Sequence, residues 1–69
     1  MEQNLMDVLL SEMNRVRGLI TKYESLPKGA GMFGATMMKQ QIEVAERSIS
    51  SGDIVSMMLQ CQKLKAFTS

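Results

Sequence analysis

The sequence of 69 residues contains no histidine, no tryptophan and a single cysteine, Cys61. One cysteine cannot close a disulfide within the chain, so the sequence does not predict a disulfide-stapled secreted domain. Without histidine and with one thiol, it lacks the usual ligands of a zinc site and the usual base of a nucleophilic enzyme. We therefore expect no metal, no cofactor and no enzymatic activity.

Long apolar runs and aromatic residues are also scarce. The apolar stretches reach three or four residues, whereas a helix that crosses a bilayer needs about 20. The polar start, Met1 to Asn4, does not resemble a secretion signal, so we expect a cytoplasmic protein without a membrane segment. A chain of this length buries only about 60% of its unfolded surface, which favours self-association when disulfides and metals are absent.

Hydrophobic residues make up 45% of the chain and include eight methionines, against three aromatic residues. Methionine is unbranched and fills irregular gaps between helices. The composition therefore predicts an all-α chain that assembles as a helical homo-oligomer. The spacing predicts one domain with helices at about 3–26, 35–50 and 53–67 and a glycine-rich turn at 27–34.

Apolar residues recur at steps of three and four in each helix, as expected for a face that packs against neighbours. In the first helix these residues are Met6, Leu9, Met13, Val16, Ile20 and Tyr23. In the second they are Met38, Ile42, Ala45 and Ile49. In the third they are Ile54, Met57, Met58, Cys61, Leu64 and Phe67, with Gln60 on the outer side.

Local signals mark the breaks between these helices. Pro27 is expected to end the first helix, because proline pushes the preceding residue out of the helical region. Gly52 is placed to close the second helix, and Asp53 or Ser51 to cap the third. Gly18 interrupts the first helix, and we expect it to mark a point of close packing.

Charge is segregated although the net charge is only +1. Residues 1–14 carry a net charge of −3, residues 15–39 a net charge of +4, and residues 40–69 sum to zero. The basic part includes the segment Gly29 to Gly34, which matches the dinucleotide-binding pattern G-x-G-x-x-G. That fold is excluded because no strand precedes the glycines. We do not expect binding to duplex nucleic acid either, because the domain has too few basic residues to neutralise many phosphates.

Backbone amides in a glycine-rich turn and the start of a helix can still bind phosphate. Small residues here can equally serve the close approach of two helices. Tyr23 suits either a packed core or stacking on a base, and Arg15 either pairs with Glu12 or reaches a phosphate. Lys39 is expected to pair with Glu43, four residues further on. The candidate ligand-binding residues are Arg15, Tyr23, Lys28, Gly29, Gly31, Phe33, Thr36 and Lys39.

The segment Leu26 to Ala35, together with Met37, Met38 and the later Ser51 to Val55, resembles short proteins of bacteriophages and prophages. The likeness spans about residues 13 to 67. Among such proteins the chain is most similar to the viral sponge proteins that oppose CBASS and related nucleotide-signalling immunity. The resemblance implies a helical oligomer in the host cytoplasm that sequesters a cyclic nucleotide at intersubunit pockets without cleaving it.

Two hypotheses follow for the function. In the first, the glycine-rich turn sequesters a cyclic di- or oligonucleotide, and Lys28→Ala or Gly31→Val abolishes binding while the chain stays folded. In the second, the chain is a protein inhibitor or adaptor that engages a host or viral partner through its Met-rich face and the Met32-Phe33 loop. Loss of function on Phe33→Ala, with tolerance of Lys28→Ala, would favour the second.

Overall fold

A short turn and one sharp break divide the chain into three α-helices. The computed structural model describes residues 4–68. Helix α1 spans Leu5–Glu24, a 3-10 turn spans Pro27–Gly29, helix α2 spans Met32–Ser51 and helix α3 spans Ile54–Lys65. No strand occurs within the described residues, so the all-α prediction is confirmed there. The predicted start of the first helix at Gln3 lies outside them.

Helix α1 buries the face that its sequence predicts. Its start is capped by Asn4, whose Oδ1 accepts a hydrogen bond from the Asp7 amide at 2.8 Å, a favoured arrangement for a helix N-terminus. Its buried residues are Leu9, Met13, Val16, Leu19 and Ile20. The prediction for Gly18 is wrong, because no atom lies within 4 Å of the position that a Cβ would occupy.

The connection from α1 to α2 is shorter than the sequence suggests. Pro27 begins the 3-10 turn, and the chain reverses through left-handed backbone at Lys28 (φ 59°) and Gly29 (φ 70°). Helix α2 begins at Met32, three residues before the predicted start at 35, and the Ala35 amide donates to the Gly31 carbonyl at 2.9 Å. Phe33 therefore belongs to the first helical turn rather than to a loop.

The residues predicted to end α2 and to cap α3 are confirmed. Gly52 ends α2 in a left-handed conformation, with φ 67°, which glycine adopts without steric cost. Asp53 caps α3, since its Oδ1 accepts a hydrogen bond from the Ser56 amide at 3.0 Å. Two residues are thus enough to reverse the chain.

Helix α3 differs from its sequence prediction on both faces. Ile54 and Met58 were expected in the core but are 56% and 54% exposed. Gln60 was expected outside but is 3% exposed, and its side chain accepts a hydrogen bond from Gln41 of α2. A buried amide is tolerated where a neighbouring helix supplies its partner, so the core face of α3 is rotated toward α2.

The three helices pack against one another, each contacting the other two. Their shared core is formed by buried apolar residues of all three helices: Leu9, Met13, Val16, Leu19, Ile20, Ala35, Met38, Ile42, Ala45, Met57, Cys61 and Leu64. No helix in the described part of the chain is long and apolar enough to span a bilayer.

Candidate functional site

The end of α1 and the start of α2 are held together at two glycines. A Cβ at Gly31 would lie 2.1 Å from the backbone oxygen of Tyr23, and a Cβ at Gly34 would lie 2.8 Å from the Tyr23 ring. Both distances are too short for any side chain. These two glycines therefore serve the close approach of the helices, which is one of the two roles that the sequence left open.

Tyr23 is fixed by the same contact. Its ring lies on Gly34, and its hydroxyl donates to the Thr68 carbonyl at 3.1 Å. The ring is half-buried. Tyr23 thus ties the end of α1 both to α2 and to the segment that follows α3. The expectation that Gly31→Val leaves the chain folded is wrong, because its side chain would collide with backbone atoms of Tyr23.

Arg15 joins α1 to the end of α3. Its guanidinium donates hydrogen bonds to the carbonyls of Leu64 and Phe67, both at 2.8 Å, and contacts Glu12 at 3.1 Å. Carbonyls in the last turn of a helix lack intrahelical partners, and a cation there also complements the helix dipole. Arg15 therefore caps the C-terminal end of α3. Of the two roles that the sequence left open for Arg15, the structure shows the contact with Glu12.

Two further basic residues, Arg17 of α1 and Lys39 of α2, pair across the helices. Lys39 contacts Glu24, so the predicted pairing with Glu43 is wrong. Arg17 lies 3.6 Å from Glu46. Arg17 and Lys39 line an open groove of about 310 Å³ between α1 and α2, together with Glu43 and the apolar residues Ile20 and Ile42. The sequence offered no signal for this groove, because its walls come from two helices whose register is set by the fold.

The remaining candidates lie around the exposed start of α2. Lys28, Gly29, Phe33 and Thr36 are all exposed, and Lys28 forms no ion pair within residues 4–68. The first amides of a helix have no acceptor within the helix, and Gly31, which precedes Met32, has no side chain to cap them. Of the eight candidates, these four are exposed on either side of the start of α2, whereas Arg15, Tyr23, Gly31 and Lys39 make contacts within the chain.

Large apolar side chains dominate the same region. Phe33 is 79% exposed and Met32 is 52% exposed. Met37 follows Phe33 by four residues on the same side of α2 and is 44% exposed. We call Met32, Phe33 and Met37 the α2 apolar surface. The sequence singled out Met32 and Phe33 but not Met37, which lies beside the predicted core residue Met38 and outside the periodic apolar face of α2.

Cys61 does not contribute to this surface. It is buried in the core, and burial raises the pKa of its thiol, while nearby Lys65 acts in the opposite direction and Glu12 in the same direction. A thiol with a raised pKa is a weak nucleophile at neutral pH. Within the described chain, no three histidine, cysteine, aspartate or glutamate side chains come together as metal ligands would.

Comparison of the chain with protein-family models, with curated proteins and with solved structures found no match. The residues that indicate a function are those around the start of α2. The groups available there are three apolar side chains, one lysine, one threonine and the first amides of a helix. Apolar side chains with a lysine and a threonine beside them form a set that can bind a partner.

Proposed function

We propose that this chain is a non-enzymatic binding protein that works as a homo-oligomer in the host cytoplasm and engages a protein partner through the α2 apolar surface. The observation that carries the proposal is the 79% exposure of Phe33 in the first turn of a well-packed helix. An exposed aromatic side chain beside two exposed methionines is typical of a surface that a partner covers.

The surroundings of Phe33 match the usual layout of a protein interface. An aromatic anchor lies at the centre, and the adaptable side chains of Met32 and Met37 flank it. Lys28 and Thr36 supply a polar rim with a positive charge. The partner that fits this surface offers an apolar pocket for the ring and acidic or hydrogen-bonding groups around it.

The test is capture of a partner from a lysate of the bacterial host on the immobilised full-length chain. We expect wild type and Lys28→Ala to retain the same protein, and Phe33→Ala to lose it, because truncation of an aromatic anchor costs about 2 kcal/mol or more, or roughly 30-fold in affinity. Leu10→Ala removes an exposed leucine of α1 and is the matched control. Equal retention by Phe33→Ala would contradict the proposal.

A second candidate function is sequestration of a cyclic nucleotide, in line with the sponge proteins that the sequence resembles. It is favoured by the exposed Lys28 and Thr36 beside the first amides of α2, where a phosphate group would meet a positive charge and unpaired N–H groups. Phe33 would then stack on a base. Arg15, Tyr23, Gly31 and Lys39 are not needed for this smaller site, because they make contacts within the chain.

A thermal-shift screen with cyclic di- and trinucleotides and cyclic ADP-ribose separates the two functions. A ligand at 100 times its dissociation constant adds about 2.7 kcal/mol, which raises the Tm of a domain of this size by roughly 10 to 20 °C. Sequestration predicts such a rise in wild type and its loss in Lys28→Ala. Partner binding alone predicts no rise with any of these nucleotides.

A further inference from the structure

We propose that the outward face of α3 is the surface through which two copies of this chain pair in antiparallel orientation. Four of the first six residues of α3 are large, apolar and exposed. They are Ile54 at 56%, Val55 at 76%, Met58 at 54% and Leu59 at 46%. We call these four residues the α3 apolar face. It lies apart from the α2 apolar surface, and the inference deepens only the homo-oligomer part of the proposed function.

Helix α3 is apolar on both sides over its first two turns. Its inner side packs Met57, Cys61 and Leu64 into the core, and its outer side is the α3 apolar face. A helix that is apolar all round is normally buried all round. In the single chain, only one side of α3 is covered.

The shape of the chain also favours pairing through the α3 apolar face. The Cα radius of gyration is 12.7 Å, and the extents are 40 × 26 × 16 Å. A globular domain of 69 residues has a radius of gyration of about 11 Å. The chain thus has a high ratio of surface to volume, and pairing through the α3 apolar face would give these side chains a second layer.

The charges at the two ends of α3 favour a second copy of this chain as the partner that covers the α3 apolar face. Asp53 caps the N-terminal end of α3, next to the first residue of the α3 apolar face, and Lys63 and Lys65 lie in the last turn of α3. None of the three forms an ion pair within the part of the chain that the structure describes. In an antiparallel pair, the acidic end of each copy meets the basic end of the other, so one contact is made twice about a two-fold axis.

The register of such a pair follows from the spacing of the apolar residues. When the two α3 apolar faces are superposed antiparallel, Ile54 lies opposite Leu59 of the second copy, and Val55 lies opposite Met58. Asp53 then lies opposite position 60, three residues from Lys63 of the second copy. At 1.5 Å per residue this offset is about 4.5 Å along the helix axis, which the four-carbon stem of lysine can span.

The test is sedimentation velocity of the full-length chain from micromolar to millimolar concentration, with Val55→Glu beside wild type. Val55 is exposed and lies in the first turn of α3, where the negative charge of a glutamate interacts favourably with the helix dipole. The variant should therefore stay folded. We expect wild type to form a dimer and Val55→Glu to remain a monomer over the whole range. Met37→Glu makes the same change on the α2 apolar surface and should remain dimeric.

Charge reversal tests the orientation. Lys63→Glu should weaken the dimer at low salt, because it places two acidic groups together at each end, and added salt should restore part of the affinity. Lys22→Glu makes the same change in net charge on α1 and should leave the dimer unchanged. Equal effects of the two reversals would overturn the antiparallel pairing.

The outcomes also separate this inference from the proposed function. A wild type that stays monomeric at every concentration would overturn both the α3 pairing and the homo-oligomer part of the proposed function. A dimer that survives Val55→Glu would overturn the α3 pairing alone. Partner capture is independent of both results, because Phe33 does not belong to the α3 apolar face.

Discussion

Replacement of Gly31 by alanine is expected to cost about 3 kcal/mol or more of folding stability. The added Cβ would lie 2.1 Å from the Tyr23 carbonyl oxygen and 2.7 Å from its carbonyl carbon. These are backbone atoms of a packed helix end, which cannot rotate away as a side chain can, so α1 and α2 must move apart. A domain of this length has a total stability of only about 3 to 10 kcal/mol, so Gly31→Ala should be largely unfolded.

Gly18→Ala is the matched control in α1. No atom lies within 4 Å of the added Cβ, and the position is exposed in the middle of the helix. Alanine is favoured over glycine there by about 0.5 to 1 kcal/mol, so this variant should be more stable than wild type. Thermal unfolding followed by circular dichroism measures both. A Gly31→Ala protein that melts at the wild-type temperature would refute the close contact between Gly31 and Tyr23.

Replacement of Arg15 by alanine is expected to cost about 1 to 3 kcal/mol, or roughly 4 to 20 °C in Tm. The guanidinium donates to the Leu64 carbonyl in the last turn of α3 and to the Phe67 carbonyl just beyond it. Its removal takes the charged donor from both carbonyls and leaves the Leu64 carbonyl with the Phe67 amide as its partner. Arg15→Lys keeps the charge but not the planar fork, so it should recover only part of the loss. The measurement is the Tm of the three proteins.

Arg17→Ala serves as the control for Arg15→Ala. Arg17 lies two residues away on the same helix, and its contact with Glu46 at 3.6 Å joins two exposed side chains. Exposed ion pairs contribute little, so a change within about 0.5 kcal/mol is expected. If Arg15→Ala lowered the folding stability equally little, the hydrogen bonds from Arg15 to the end of α3 would not stabilise the fold.

Much of the fold could be predicted because its signals are local. The face of α1 follows from the spacing of its own apolar residues, which places Leu9, Met13 and Val16 in the core. The break between α2 and α3 follows from Gly52 and Asp53, whose backbone conformation and capping oxygen act within a few residues. Neither depends on which other helix lies nearby.

The features that escaped prediction depend on contacts between distant residues. Helix α3 carries apolar residues on all of its sides. The spacing of these residues alone therefore does not show that Gln60 is buried or that Ile54 is exposed. The Gln41 side chain, 19 residues away along the chain, decides that question. Gly31 likewise has a steric role only because Tyr23 returns to it across the turn.

For the candidate site, the sequence pointed to the exposed start of α2 but not to the contacts that its other candidate residues make within the chain. A basic excess and a cluster of glycines pointed to the start of α2, and Lys28, Phe33 and Thr36 are exposed there. The sequence could not show that Arg15 reaches the end of α3, 49 residues further along. It also could not show that Lys39 pairs with Glu24 across the turn.

The most direct test of the central claim, that Phe33 serves binding rather than the fold, is the free energy of unfolding of Phe33→Ala in urea. We predict a value within about 0.5 kcal/mol of wild type, because an exposed side chain contributes little to stability. A core phenylalanine would cost about 3 to 5 kcal/mol on truncation. A loss of that size would show that Phe33 is packed in the folded chain and would contradict the claim.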